Sequence, residues 1–152
     1  MANTLGYLLT WTTYGTWLQG DKRRYVKDGE ILPPNKALAE ANAGLLTKDA
    51  VQLSSKQRRI VEKAIRQKAI QLRQRIYALA VCPRHVHLVA EYIPRSIGIV
   101  VQRYKSCAVR ALRKDGIRGR VWTTGFHKKY CFDAITLQKK VDYVNDHLRK
   151  NI

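Results

Sequence analysis

The sequence is poor in acidic residues and in cysteine, and it contains no long apolar run. Eleven Asp and Glu stand against 29 Lys and Arg, which gives a formal net charge of +18. The three cysteines show no CxxC spacing, which argues against a disulfide framework and against a cysteine-rich zinc site. No stretch approaches the roughly 20 apolar residues that span a bilayer, and the first residues do not resemble a signal peptide. We therefore expect a cytoplasmic protein without membrane contact.

The excess of positive charge predicts a polyanionic partner. The basic residues are spread along the chain, and 45% of all residues are hydrophobic, so the charge belongs to a folded surface rather than to a disordered tail. Residues 56–75 hold eight basic side chains with Glu62 as the single acidic one. We favour nucleic acid over a membrane because no basic amphipathic anchor stands apart from the fold. A nucleoid-associated location is expected.

The hydrophobic pattern predicts one α+β domain over residues 1–152. A first strand at 5–13 precedes a long loop at about 16–54, with a short helix near 35–43; a loop of that length is compatible with a binding flap and with a passive insertion. The remaining elements are a helix capped by Ser54 or Ser55, a hairpin, a helix capped by Ser96, two short strands and a last helix (55–73, 76–82, 85–92, 97–116, 121–123, 128–132 and 134–150). Their order is the split βαβ arrangement, an antiparallel sheet with helices on one face.

Two of the four histidines lie two residues apart in a predicted strand. Because strand side chains alternate, His85 and His87 project from one face, while Val86 and Leu88 project from the other. Two imidazoles on one face supply half of a metal site or contact a phosphate. The alternative is a pair of half-exposed strand residues without a ligand.

The last predicted helix carries a tyrosine and a histidine beside its apolar stripe. Tyr143 and His147 are i, i+4 neighbours on a face away from that stripe. If this helix crosses the sheet near His85 and His87, three imidazoles and one phenol converge. The stripe predicted to face the core consists of Leu137, Val141, Val144 and Leu148.

A phenol beside a divalent cation is a known arrangement for nucleophilic attack on a phosphodiester. A tyrosine hydroxyl ordinarily ionises near pH 10, so it needs a base or a positive local field to act at neutral pH. A cation on the scissile phosphate also polarises its oxygens and orients the phosphorus. Tyr143 is therefore the predicted nucleophile, and Tyr130, which lies near His127 in a predicted short strand, is the alternative.

Four parts of the chain resemble a known family: residues 82–89 (CPRHVHLV), residues 9–17 (LTWTTYGTW), residues 122–127 (WTTGFH) and Tyr143 in its late helix. They resemble the single-tyrosine HUH transposases, which comprise small insertion-sequence transposases and REP-associated tyrosine transposases. The resemblance implies a ferredoxin-like antiparallel sheet with a C-terminal helix that carries the nucleophilic tyrosine. It also implies His85 and His87 as metal ligands, Tyr143 as the catalytic residue, and Mg or Mn as the divalent metal.

The activity implied by the resemblance is DNA transposition. Such enzymes cleave and transfer single-stranded DNA next to a hairpin through a 5′-phosphotyrosine bond, and they occur as monomers and as dimers, so a homodimer is compatible with the sequence. The first alternative is a non-catalytic or domesticated single-stranded nucleic-acid-binding protein derived from such a transposase. The second is a phosphodiesterase that uses His85 or His87, although position 89 of an H-x-H-x-H run is Val89 here.

One position departs from the pattern of the family. Many relatives have Asn or Gln four residues after the tyrosine, followed by an Asn-Pro turn, whereas this chain has His147 and no proline there. A third imidazole still suits a divalent cation. Because Mg prefers oxygen ligands, His147 as a metal ligand shifts the expected metal toward Mn or Zn.

DNA contacts are predicted from basic and aromatic residues outside the histidine site. Basic side chains bind phosphates without reading sequence, and tryptophan stacks on unpaired bases. Trp11 and Trp122 are alternatively core residues, the commoner location of tryptophan. The predicted DNA-binding residues are Trp17, Lys22, Arg23, Arg24, Arg103, Lys105 and Arg110.

Overall fold

A computed structural model of the chain describes residues 3–16 and 50–150, which form four strands and three helices. Ser96 precedes the second helix as predicted but makes no side-chain cap hydrogen bond, whereas the first helix has local signals at both ends. Ser54 forms a capping box with Gln57 at the start of the first helix, and Arg73 ends that helix in the left-handed region with a φ of 55°. The elements in chain order are β1 (Gly6–Thr12), α1 (Ser55–Leu72), β2 (Ile76–Val81), β3 (His85–Glu91), α2 (Ile97–Lys114), β4 (His127–Cys131) and α3 (Ala134–Lys150).

The four strands form one antiparallel sheet in the order β2-β3-β1-β4. β1 therefore lies between β3 and β4, although both are distant from it in sequence. Its register sets Thr10 opposite His87 on one side and opposite His127 on the other. This topology is the split βαβ arrangement, so the predicted α+β fold with an antiparallel sheet is confirmed.

α1 and α2 cover one face of the sheet and enclose the larger core. Alternate residues of β1 point into it, namely Tyr7, Leu9 and Trp11, all nearly without solvent contact. Trp122 packs edge-to-face on Trp11, with ring centroids 6.1 Å apart, so both tryptophans are core residues. The predicted strand at 121–123 is reduced to a single bridge between Trp122 and Thr13.

α3 lies across the opposite face on a smaller apolar cluster. Val144 is fully buried there, Leu137 and Val141 pack beside it, and Leu148 is outside the cluster and 36% exposed. The predicted stripe is therefore covered only as far as Val144. Gly6 allows the close approach, since a Cβ at this position would lie 2.5 Å from the Ala90 carbonyl oxygen and 3.1 Å from Leu137 Cδ1. The cluster also contains Leu8, Ala78, Ala80 and Val89 of the sheet and Cys82, which follows β2.

Part of the predicted long loop lies within the described residues. The Val51 N–H donates to the Tyr14 carbonyl, and the Leu53 N–H donates to the Pro83 carbonyl, so residues 50–53 run beside the ends of β1 and β2. The short helix predicted near 35–43 and most of the loop at 16–54 lie outside the described residues. No helix in ranges 3–16 and 50–150 is long and apolar enough to cross a membrane.

Candidate active site

The two histidines of β3 project from the sheet face that α3 covers. Strand alternation places Val86 and Leu88 in the larger core and turns His85 and His87 the other way. The two imidazole rings lie side by side, with centroids 4.6 Å apart. β3 pairs on both sides, with β1 and with β2, so the histidine pair lies on a central strand.

α3 brings a third imidazole and a phenol to the same place. Its first turn is stabilised by Asp133, which accepts from the Thr136 N–H at 2.7 Å, and the buried Val144 anchors its middle. His147 lies 4.6 Å from His87 and 5.9 Å from His85 between ring centroids. The Tyr143 ring lies 5.4 Å from the His87 ring and 4.4 Å from the His147 ring. The structure thus brings together His85, His87, His147 and Tyr143.

The donor set fits a divalent cation. One ring nitrogen from each of His85, His87 and His147 lies within 4.8 Å of the others. His85 Nε2 is buried and makes no hydrogen bond to any described residue, which is costly unless a ligand takes its lone pair. Burial, followed by the neighbouring His85 and His147, lowers the pKa of His87 to about 3. Burial and His147 also lower the pKa of His85, so both rings are neutral and able to bind a metal at neutral pH.

Two hydrogen bonds hold ring nitrogens of the cluster. His87 Nδ1 and Thr10 Oγ1 are 2.8 Å apart in the buried part of the sheet, and His147 Nδ1 lies 3.1 Å from the Tyr143 carbonyl oxygen. Such contacts set the tautomer and the ring orientation of metal-binding histidines. Sequence analysis did not identify Thr10. Its signal was a polar residue at every second position of an otherwise apolar strand, Thr10 and Thr12, which marks the face opposite the core.

A cleft of about 310 Å³ opens beside Tyr143, between β4 and α3. Its basic walls were also missed in the sequence, because they come from an edge strand and a helix that meet only in the folded chain. The residues that line it are Leu8, Thr10, His87, His127, Lys128, Lys129, Lys140 and Tyr143.

Tyr143 is the tyrosine that the structure places at the histidines. Tyr130 pairs with Tyr7, whose side chain lies in the larger core, so Tyr130 points to the face away from His87. Tyr104 is fully buried, and burial raises the pKa of its hydroxyl above the ordinary value. Tyr143 is 44% exposed and accessible to a substrate. The geometry favours Tyr143 over the alternative Tyr130.

The described residues among the predicted DNA contacts lie on α2, on the other side of the sheet. Arg103 and Arg110 are exposed there. The Lys105 ammonium donates to the carbonyls of Thr123 and Gly125, at 2.9 and 2.6 Å, and burial followed by Arg120 lowers its pKa to about 8. Contacts of these three residues with DNA stay predictions. The other predicted DNA-binding residues, outside the described ranges, are Trp17, Lys22, Arg23 and Arg24.

One known structure with this fold is that of a transposase. The structure of a REP-associated tyrosine transposase bound to a REP hairpin matches with a TM-score of 0.60 and 14% identity, over 99% of this chain and 70% of that chain. A Deinococcus radiodurans protein described as a transposase matches with a TM-score of 0.49 and 17% identity, over 97% and 93% of the two chains. No protein-family model and no curated protein sequence matches the chain. The predicted resemblance is therefore confirmed at the level of the fold, which is that of the REP-associated tyrosine transposase.

Proposed function

We propose that the protein is a metal-dependent tyrosine transposase. It cleaves single-stranded DNA next to a hairpin and joins it to a new end through a 5′-phosphotyrosine bond. The observation that carries the proposal is the position of Tyr143, exposed at a cleft and 5.4 Å from the ring of His87 within a cluster of three imidazoles. Structural metal sites are usually closed by four protein ligands, whereas three nitrogen donors beside a cleft leave positions for a substrate.

Tyr143 acts as the nucleophile in this scheme. Its phenolic oxygen attacks the scissile phosphorus and forms a P–O bond, while the bond from phosphorus to the 3′ oxygen breaks. The 3′ oxygen leaves as a hydroxyl after taking up a proton, and the phenol proton goes to solvent. Because the phosphodiester energy is retained in the phosphotyrosine, a second 3′ hydroxyl can reverse the reaction on another strand without ATP.

The three histidines hold the cation in this scheme. Their ring nitrogens would hold a divalent cation, which when bound would supply Lewis-acid polarisation of the phosphoryl oxygens. His87 is kept neutral by burial and is oriented by Thr10, and His147 places a nitrogen beside both strand ligands. Three imidazoles favour Mn or Zn over Mg, which prefers oxygen donors.

The proposed DNA partner is supported by charge and by fold. A net charge of +18 suits a polyanion, and the transposase with the same fold is bound to a REP hairpin. A hairpin with a single-stranded extension is therefore the substrate to test first, with the same extension lacking the hairpin as its comparison.

A covalent-adduct assay tests the reaction. Labelled strands carrying hairpins of varied sequence are incubated with the protein and Mn, Mg, Zn or EDTA, and the products are separated on a denaturing gel. We expect a metal-dependent protein-DNA adduct that is absent in Tyr143→Phe, and retained in Tyr130→Phe, the matched control on the other sheet face. An adduct that persists in Tyr143→Phe would contradict the assignment of the nucleophile. Salt-sensitive binding without an adduct under any condition would instead favour the non-catalytic binding protein.

A further inference from the structure

The cleft beside Tyr143 has cationic walls from two elements. Lys129 in β4 pairs with Leu8 in β1. Because paired residues project from the same face of a sheet, the Lys129 side chain points to the face that α3 covers. Lys140 stands three residues before Tyr143 on α3, so the two side chains share one face of that helix. Both lysines line the cleft together with Tyr143.

The positive charge of the cleft is not neutralised from within. Among the described residues that line it there is no Asp or Glu. The nearest acidic residue on the same helix, Asp142, accepts a hydrogen bond from the Gln138 amide at 3.0 Å. By contrast, Lys56, which does not line the cleft, is paired with an acidic residue, since its ammonium lies 2.9 Å from the Asp115 carboxylate. Lys128 also lines the cleft, but its ammonium lies 5.8 Å from the Tyr130 ring centroid, so Lys129 and Lys140 are the two lysines directed into it. Lysines that face one cavity without an acidic lining residue are typical of an anion-binding site.

The size and the floor of the cleft match one nucleotide. A volume of about 310 Å³ lies at the lower end of ligand pockets, which run from roughly 300 to 1,000 Å³. Leu8 supplies an apolar surface for a base or sugar, and Tyr143 supplies an aromatic ring at the rim. A longer segment of DNA does not fit within this volume.

We propose that this cleft binds the nucleotide adjoining the scissile phosphate, with Lys129 and Lys140 contacting the next phosphodiester along the strand. The inference rests on the proposed function, because the cleft shares Tyr143 and His87 with the reaction centre. The two lysines fix the register of the strand relative to the Tyr143 hydroxyl. They contribute to substrate binding and leave the chemical step to Tyr143 and the histidines.

Binding is measured separately from cleavage to test the proposal. In a Tyr143→Phe background, Lys129→Gln and Lys140→Gln are compared with Lys139→Gln, which removes the same charge from an exposed position of α3 near Asp133. The probe is a fluorescent hairpin with a short single-stranded extension. We expect the Kd to rise about tenfold at low salt for each cleft variant and to change less than about twofold for Lys139→Gln. The slope of the logarithm of the binding constant against the logarithm of the salt concentration should become shallower by about 0.7 for each lost phosphate contact.

A methylphosphonate scan locates the phosphate. Single neutral linkages are placed one at a time on either side of the cleavage point. We expect one linkage next to the scissile phosphate to weaken binding with native lysines about tenfold and to have no further effect in Lys129→Gln with Lys140→Gln. Equal losses for Lys139→Gln and Lys140→Gln, or independent losses from the linkage and the variants, would overturn the proposal.

The cleavage assay keeps the two proposals distinct. With Tyr143 present, cleft variants should need more DNA to reach half-maximal adduct formation while keeping a saturating rate within about twofold of that with native lysines. If the rate of adduct formation at saturating DNA fell by the same factor as the binding affinity, a role in binding alone would be contradicted. An absent adduct with native residues would refute the proposed chemistry, whereas the Kd comparison, made without cleavage, would still decide on the cleft.

Discussion

The two faces of the sheet differ in what their side chains do, although the same strands supply both. On the face under α1 and α2, Leu9, Trp11 and Leu88 belong to a large apolar cluster, whose buried polar side chain Gln74 bonds the Tyr7 and Tyr104 hydroxyls. On the face under α3, Thr10 and His87 meet in a hydrogen bond, and the apolar cluster is small. One face therefore contributes most of the hydrophobic stability, and the other leaves room for a cluster of imidazoles beside a cleft.

This difference explains how a basic chain of 152 residues can hold the neutral imidazoles of His85 and His87 together. Desolvation of His85 and His87 is an energetic cost, and the larger core on the other side of the same strands offsets it. The paired position of β3, between β1 and β2, then fixes both histidines on the sheet.

The largest expected effect is on the free energy of unfolding, and it should differ between residues of β3 that face opposite sides of the sheet. Leu88→Ala should lower the free energy of unfolding by about 2–5 kcal/mol, because it leaves a cavity in the larger core. His85→Ala should change it by less than about 1 kcal/mol, since the loss of packing is offset by removal of an unpartnered buried nitrogen. Urea denaturation of the metal-free proteins measures both. Similar losses for the two variants would remove the distinction between the faces.

A medium effect is expected for the residue that orients His87. Thr10→Val keeps the shape of the side chain and removes the hydroxyl, so metal affinity should fall about 10–100-fold while the fold is retained. Thr12→Val is the matched control on the same face, because the Thr12 hydroxyl donates to the Thr16 carbonyl instead. Calorimetric titration with Mn or Zn measures the affinities, and Thr10→Ser should restore most of the loss. Equal affinity in Thr10→Val and the native protein would exclude a role in orientation.

The smallest expected effect is the pH dependence of the metal-free protein. The pKa of His87 is lowered to about 3 in the fold, whereas an unfolded histidine ionises near 6.5. Below pH 6.5 the unfolded chain therefore binds more protons, and stability falls as the pH falls toward 3. From pH 6.5 to 5.5 the loss from His87 is at most about 1.4 kcal/mol. Denaturation in EDTA across this range measures it; a His87→Asn variant with an unchanged pH slope would contradict the assignment.

The order and type of the elements could be predicted because their signals are local. Ser54 with Gln57 marks the start of α1, and the change of hydrophobic period at Ile76 marks the passage from helix to strand. The spacing of His85 and His87, and of Tyr143 and His147, placed each pair on one face. The exposure of Leu148 was not predictable, since the helical period continues beyond the part of the sheet cluster that covers it.

The remaining parts of the site depend on pairing between distant strands. Thr10 meets His87 because β1 inserts between β3 and β4, an arrangement that no local pattern specifies. Lys129 and Lys140 share a cleft only after the edge strand β4 and the helix α3 have met. Periodicity assigns a residue to a face, whereas its neighbours across the sheet are set by register.

The register that sets Thr10 opposite His87 also determines what a one-residue insertion or deletion in β3 would do to the fold. A shift of one residue in β3 would turn both of its imidazoles into the apolar layer and move Val86 and Leu88 to the side of α3. A chain with this shift loses its core and its histidine cluster together. We therefore expect a one-residue insertion or deletion in β3 to yield an unfolded chain, rather than a folded chain in which only the histidine cluster is lost.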